Sequence, residues 1–238
     1  MDGEDKFAIH AAARDGKVTV VESLLNANPK LAKLKDDDGR VPLHWAASFN
    51  HYEIVSLLIN QKGFDPDVQD DMGWTPLMIS ASCKDSDKVV DLLLARGADV
   101  NQTNNNGQTV LHFLASKSNL DLARKLLEET KPPASARVRD KRGQYPIHRA
   151  AAVGSVPMIN LLLKHRSPLN ATDNAGYTPL HHAVAEGHGD TAVALLKAGA
   201  ETDKRDVDGF LPLELAPGID VRKYIARKAE EEGIDITI

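Results

Sequence analysis

The 238 residues are 42% hydrophobic and 26% charged, an ordinary globular mix, and 29 basic side chains stand against 34 acidic ones for a formal net charge of −5. That balance argues against a general polyanion binder, which needs a basic excess to release phosphate counterions, and 5% aromatics disfavours an aromatic nucleic-acid platform. A single cysteine, Cys83, forbids an internal disulfide, no apolar run approaches the roughly 18 residues of a membrane span, and MDGEDKFAIH lacks the cationic start and apolar stretch of a signal peptide. The expectation is an intracellular protein of a reducing compartment, in cytoplasm and nucleus, with no nucleic-acid or membrane partner.

Taken in order, the chain repeats itself. A degenerate copy, DKFAIHAAARDG, opens it. DDDGRVPLHWAAS follows from Asp36, DDMGWTPLMISAS from Asp70, NNNGQTVLHFLAS from Asn104, DKRGQYPIHRAAA from Asp140, DNAGYTPLHHAVA from Asp173 and DVDGFLPLELAP from Asp206. The glycines Gly39, Gly73, Gly107, Gly143, Gly176 and Gly209 step by 34, 34, 36, 33 and 33 residues, a period that reads as a repeat architecture.

Within each copy the order of signals is constant. Asp/Asn-x-x-Gly is turn chemistry, because glycine accepts positive φ and Asx side chains bond nearby backbone. A Thr-Pro or similar pair then starts a helix, where proline suits the first turn. Small residues follow (Ala46 and Ala47, Ala150 and Ala151, Ala183 and Ala185) and predict close helix approach. A second helix carries an apolar stripe at the 3.6-residue period: Ile54, Val55, Leu57, Leu58; Val89, Val90, Leu92, Leu93; Met158, Ile159, Leu161, Leu162; Val193, Leu195, Leu196. Gly-Ala-Asp-Val-Asn at 97–101 and Gly-Ala-Glu-Thr-Asp at 199–203 close helices with a C-terminal glycine.

These units resemble the ankyrin repeat over the whole chain. The resemblance implies an all-α fold, a single solenoid over 1–238 of seven helix-turn-helix units with β-hairpin fingers. The repeats are 4–35, 36–69, 70–103, 104–139, 140–172, 173–205 and 206–238. Asn50, Lys84 and Ser118 stand where that family usually has glycine between the helices, so those loops are expected to differ. KPPASARVR (131–139) lengthens the fourth unit and is expected to bulge. APGIDVRKYIARKAEEEGIDITI ends in a Pro-Gly break, a charged capping helix and a loose tail.

No catalytic constellation emerges. His44, His112, His148 and His181, with His10, occupy one slot of the repeat, and Met78 and Glu214 replace them elsewhere, which points to packing or hydrogen bonding rather than to metal. His181, His182 and His188 are close in sequence but diverge on a helix. There is no nucleophile elbow, P-loop or dinucleotide fingerprint, and EGHGD (186–190) reads as an inter-helix turn. Cys83 has only Lys84 as a basic neighbour. The expectation is a non-enzyme without cofactor or metal.

In a repeat array the residues that vary at equivalent slots carry identity. The slots flanking the finger glycine hold Asp38, Met72, Asn106, Arg142, Ala175 and Arg40, Trp74, Gln108, Gln144, Tyr177, beside Asp71. The slot after the histidine holds Trp45, Ile79, Phe113, Arg149 and His182, and the inner-helix end Phe49, Cys83, Lys117, Val153 and Glu186. Trp, Tyr, Phe, Met and Arg together are the composition of protein-interface anchors. Charge is uneven along the chain: Asp65, Asp67, Asp70 and Asp71 lie in a base-free stretch, whereas Arg137, Arg139, Lys141, Arg142 and Arg149 face Asp140 alone. Such a gradient would orient a partner of opposite polarity.

DDDGRVPLHWAAS, DDMGWTPLMIS, LHFLASK, PIHRAAAVGS and AEGHGDTAVALL are, further, similar to the gankyrin family, which includes fungal counterparts. That resemblance implies a monomeric chaperone for assembly of the 19S proteasome regulatory particle. Its concave face would grip the C-terminal helical domain of a proteasomal ATPase subunit and delay docking to the 20S core. Arg40 and Lys117 match residues that pair with acidic side chains of that domain, and Trp45, Trp74 and Arg149 match the same surface. His182–Glu186 lacks the Leu and Cys of a retinoblastoma-binding string, so that interaction is not carried over. The alternative is a scaffold or inhibitor that binds a kinase or transcription factor.

Overall fold

The structure, a computed structural model, describes residues 7–236; residues 1–6 and 237–238, which include the start of the first predicted repeat (4–6) and the end of the last, lie outside the described residues. All regular structure among these residues is helical, in two compact units, one ending at Asn105 and one beginning at Asn106. The first unit holds α1 (Ala8–Arg14), α2 (Val18–Ala27), a 3-10 turn (Pro29–Lys33), α3 (Pro42–Ser48), α4 (Tyr52–Ile59), α5 (Pro76–Ala81) and α6 (Asp87–Ala95). The second holds α7 (Val110–Ser116), α8 (Leu120–Glu128), α9 (Pro146–Ala152), α10 (Val156–Lys164), α11 (Pro179–Ala185), α12 (Gly189–Lys197), a 3-10 turn (Pro212–Leu215) and α13 (Ile219–Glu231).

The predicted proline starts hold: α3, α5, α9 and α11 each open on Pro after an extended residue. Their alanines are the contact layer. Ala46, Ala47, Ala150, Ala151 and Ala183 are fully buried, and α3 packs against α1 and α5 in the first unit as α9 packs against α7 and α11 in the second. The second helix of each pair turns its apolar stripe inward, with Ile54, Val55, Val89, Val90, Leu93, Met158, Ile159, Leu162 and Leu195 buried.

The inter-helix turn needs a left-handed residue, and this chain supplies it with or without glycine. Asn50 (φ 56°) and Ser118 (φ 53°) adopt the conformation that Gly154 (φ 73°) and Gly187 (φ 77°) adopt in later repeats. The loops are therefore conserved in shape, contrary to the expected difference. In the third repeat the loop does differ: the left-handed residue is Asp85 (φ 54°), not Lys84, because the loop after α5, 82–86, is two residues longer than those after α3 and α7. Ser118 has neither glycine's freedom nor the local tolerance of Asn. Ser118→Gly should therefore raise stability by about 0.5–1 kcal/mol, the αL penalty less the entropy of the extra glycine. A urea midpoint that fell instead would show that the serine side chain holds this turn.

The fingers close as hairpins but build no strand ladder among the described residues. Each is a tight turn, for example Asp36 N to Arg40 O at 2.9 Å, and one bond joins it to its neighbour within a unit: Asp71 N to Asp38 O, Asn174 N to Arg142 O, Val207 N to Ala175 O, all near 3.0 Å. The approach is close: a Cβ on Gly176 (φ +79°) would lie 2.8 Å from the Asp206 Cα. KPPASARVR bulges less than its length suggests, since Ala134 and Ala136 are buried and Ala134 N bonds Leu126 O at 2.8 Å. The last repeat departs most. Its first helix shrinks to the 3-10 turn Pro212–Leu215, because Pro217 drives Ala216 (ψ 129°) out of the helical region. The charged α13 then packs on α12 through buried Ile225 and Ala229, the expected end cap.

Candidate protein-binding surface

Five of the fingers are organised by a leading aspartate; the finger at 104–108 opens on Asn104 instead. Oδ1 of Asp36 accepts from the amides of Asp38 (3.0 Å) and Arg40 (2.8 Å), and Asp70, Asp140, Asp173 and Asp206 accept from the amides two and four residues later in the same way. The second oxygen faces the variable slots. The Trp45 indole donates to Asp36 (2.7 Å), Arg40 Nε to Asp70 (3.2 Å) and Arg149 Nη2 to Asp140 (3.0 Å). On Asp173, Gln144 Nε2 (2.8 Å) meets His182 Nε2 (2.9 Å). Burial alone would raise the Asp173 carboxyl, but the bonds from Gln144, His182 and the amides of Tyr177 and Ala175 hold it below the usual carboxylate range.

Where the slot holds histidine, the ring staples its inner helix to the following finger or to the residues just before it. Val41 N donates to His44 Nδ1 (3.1 Å), so Nε2 must carry the proton that reaches the Val68 and Trp74 carbonyls, both at 3.1 Å. Thr109 N and Tyr145 N donate likewise to His112 and His148, whose Nε2 atoms reach Gln144 O and Ala171 O. Burial pushes the imidazole pKa of His112 and His148 down to about 4, and lowers His44 and His181 too. Glu214 fills the slot in the last repeat, its carboxylate accepting from Leu211 N at 2.6 Å.

The predicted surface residues divide by depth. Asp38, Phe49, Asp71, Met72, Asn106, Lys117 and Arg142 are exposed, Met72 to 59%. Arg40, Trp45, Trp74, Gln108, Phe113, Arg149, Tyr177 and His182 are half-buried, and Ile79 (7%) and Gln144 (9%) lie inside. In the first unit the Arg40 guanidinium stands 5.2 Å from the Trp45 ring, and Trp45 with Phe7, His10, Arg14 and the Asp36–Asp38 finger lines a hollow of about 270 Å³. In the second, Tyr177 and His182 meet edge to face at 5.3 Å, and Asn106, Gln108, Asp140, Lys141, Arg142 and Arg149 line a cavity of about 220 Å³. Arg14 was not singled out from the sequence as a surface residue, Lys141 only as part of the basic stretch, and the finger aspartates not as bracing groups. The one available signal was the constant nine-residue spacing from each Asp to the slot after the histidine.

Of the basic stretch, Arg149 is spoken for by Asp140, while Arg137 and Arg139 donate to the Arg166 and Gly143 carbonyls; Lys141 and Arg142 project from the finger tip. Cys83 is half-buried, with Sγ 3.3 Å from the Ser48 and Ile79 carbonyls.

The family profile described as Ankyrin repeats (3 copies) matches residues 1–70, 58–135 and 115–206. The chain belongs to the ankyrin-repeat family. Ankyrin repeats are in general non-catalytic scaffolds for protein–protein interaction, and their fingers and inner helices are the elements on which the variable slots stand here. Among solved structures, the chain is similar to the ankyrin repeat domain of Bcl-3, described as a unique member of the IkappaB protein family. The likeness is 25% identity with a TM-score of 0.73, over 92% of this chain and 97% of that one. No curated protein matches.

Proposed function

We propose that this ankyrin-repeat protein is a non-catalytic chaperone for assembly of the 19S proteasome regulatory particle. It would bind the C-terminal helical domain of an ATPase subunit as a monomer, in cytoplasm and nucleus, and hold it off the 20S core. The observation that carries this reading is the set of side chains at the variable slots. Arg40, Trp45, Trp74, Lys117 and Arg149 are not required by the repeat itself, and their segments are similar to the gankyrin family. Exposed Lys117 and half-exposed Arg40 suit acidic residues of such a partner.

Arg40 also braces Asp70, so a charge reversal there would disturb the fold as well as the contact. Glutamine is the clean substitution, because Gln144 fills the equivalent slot and braces Asp173 without charge. Arg40→Gln with Lys117→Gln should leave the circular dichroism unchanged and cut co-purification of the proteasomal ATPase from extract by about tenfold or more. Undiminished recovery by the folded double variant would overturn these contacts. The likeness to an IkappaB-family ankyrin domain favours a second reading, a scaffold or inhibitor of another protein, and recovery of a kinase or transcription factor in place of base subunits would select it.

A further inference from the structure

Building on the protein-binding reading, we propose that the cavity at the first two fingers of the second unit is a carboxylate-accepting subsite that takes an acidic side chain of a protein partner. Its volume is about 220 Å³, and its walls are Asn106, Gln108, Asp140, Lys141, Arg142 and Arg149. Three walls are cationic and one is anionic, and the anion is already used. Asp140 Oδ1 holds the amides of Arg142 (2.9 Å) and Gln144 (2.8 Å), its Oδ2 holds Arg149 Nη2 (3.0 Å), and its side chain is completely buried. Asp140 therefore neutralises Arg149 and nothing more.

Lys141 and Arg142 stand exposed at the mouth with their charges uncompensated by it. Arg149 keeps 21% of its side chain accessible, and its Nε is a buried donor without an acceptor. A buried, unpaired guanidinium N–H is costly, and a carboxylate is the group whose two oxygens match an arginine fork. The low net charge and scarcity of aromatics set against nucleic acid leave an acidic side chain as the oxyanion a protein scaffold would meet here.

The probe is a blocked hexaglutamate peptide, titrated into the full-length protein at low salt, with inorganic phosphate as the comparison. Hexaglutamate should bind, shift the Arg149 Nε–H resonance, and weaken by about tenfold or more in Lys141→Gln/Arg142→Gln at unchanged circular dichroism. Absence of binding, binding indifferent to that double variant, or saturable phosphate binding without hexaglutamate binding would each overturn the subsite. The outcome is separable from the ATPase assignment, since the peptide reports on the cavity whichever protein the scaffold carries.

Discussion

On acidification from pH 7 to 4, His112 and His148 are each expected to remove about 3 kcal/mol of stability, a large part of what a domain of this size has to lose. In the fold each imidazole is neutral, with Nδ1 accepting from a backbone amide and Nε2 donating to a distant carbonyl, Gln144 O of the next repeat for His112 and Ala171 O, just before the next finger, for His148. In the unfolded chain the same rings protonate near 6.5, whereas in the fold burial delays protonation to about 4. Below 6.5 the unfolded state therefore binds more protons, and the contribution is full above that value and lost as the pH falls towards 4. His44 and His181 act in the same direction. The carboxyls of Asp36 and Asp173, held low by their hydrogen bonds, add their loss only below 3.8, so the two windows separate. Urea midpoints at pH 7.5, 5.5 and 4.5 should fall progressively. His112→Met with His148→Met, which copies the residue in the slot at Met78, should flatten that slope whatever it does to the midpoint at pH 7.5. A wild-type midpoint that stays level over this range would refute the neutral-staple account.

Asp173→Ala should cost about 4 kcal/mol, because one buried carboxylate anchors four donors. Its removal strands the Ala175 and Tyr177 amides, the Gln144 amide and the His182 ring at once. Asp173→Asn keeps an acceptor for the two finger amides and should cost about half as much. Asp208→Ala, on an exposed tip, should change stability by less than about 0.5 kcal/mol. The decisive comparison is a double-mutant cycle with His182→Leu: in that background Asp173→Ala should cost clearly less. Equal costs in both backgrounds would mean that Asp173 and His182 do not cooperate, and the brace would be discarded.

Much of this architecture was legible in the residues alone. The turn glycines, the prolines that open helices and the 3.6-period apolar stripes of the second helices are local signals, and each led to the right kind of element. The left-handed turn is the instructive case. Asn50 and Ser118 were expected to alter their loops, yet neighbouring helices impose the same φ on them as on Gly154, the helix packing outweighing a penalty of about 1 kcal/mol. The proposed surface was legible as slots and illegible as depth. Trp45, Arg40, Gln144, Arg149 and His182 were picked for a partner, and the structure has each of them bonded to a finger aspartate as well.

The chain's own order of residues settled the period, the family and the histidine slot, since the turn, the helix start and the histidine stand within a dozen positions of one another in each copy and that short pattern recurs along the chain. Only the assembled repeats decided which variable side chains point outward and which hold the fingers, because the partners in question, Arg40 with Asp70 or Gln144 with Asp173, lie about thirty residues apart and meet only once neighbouring units have stacked.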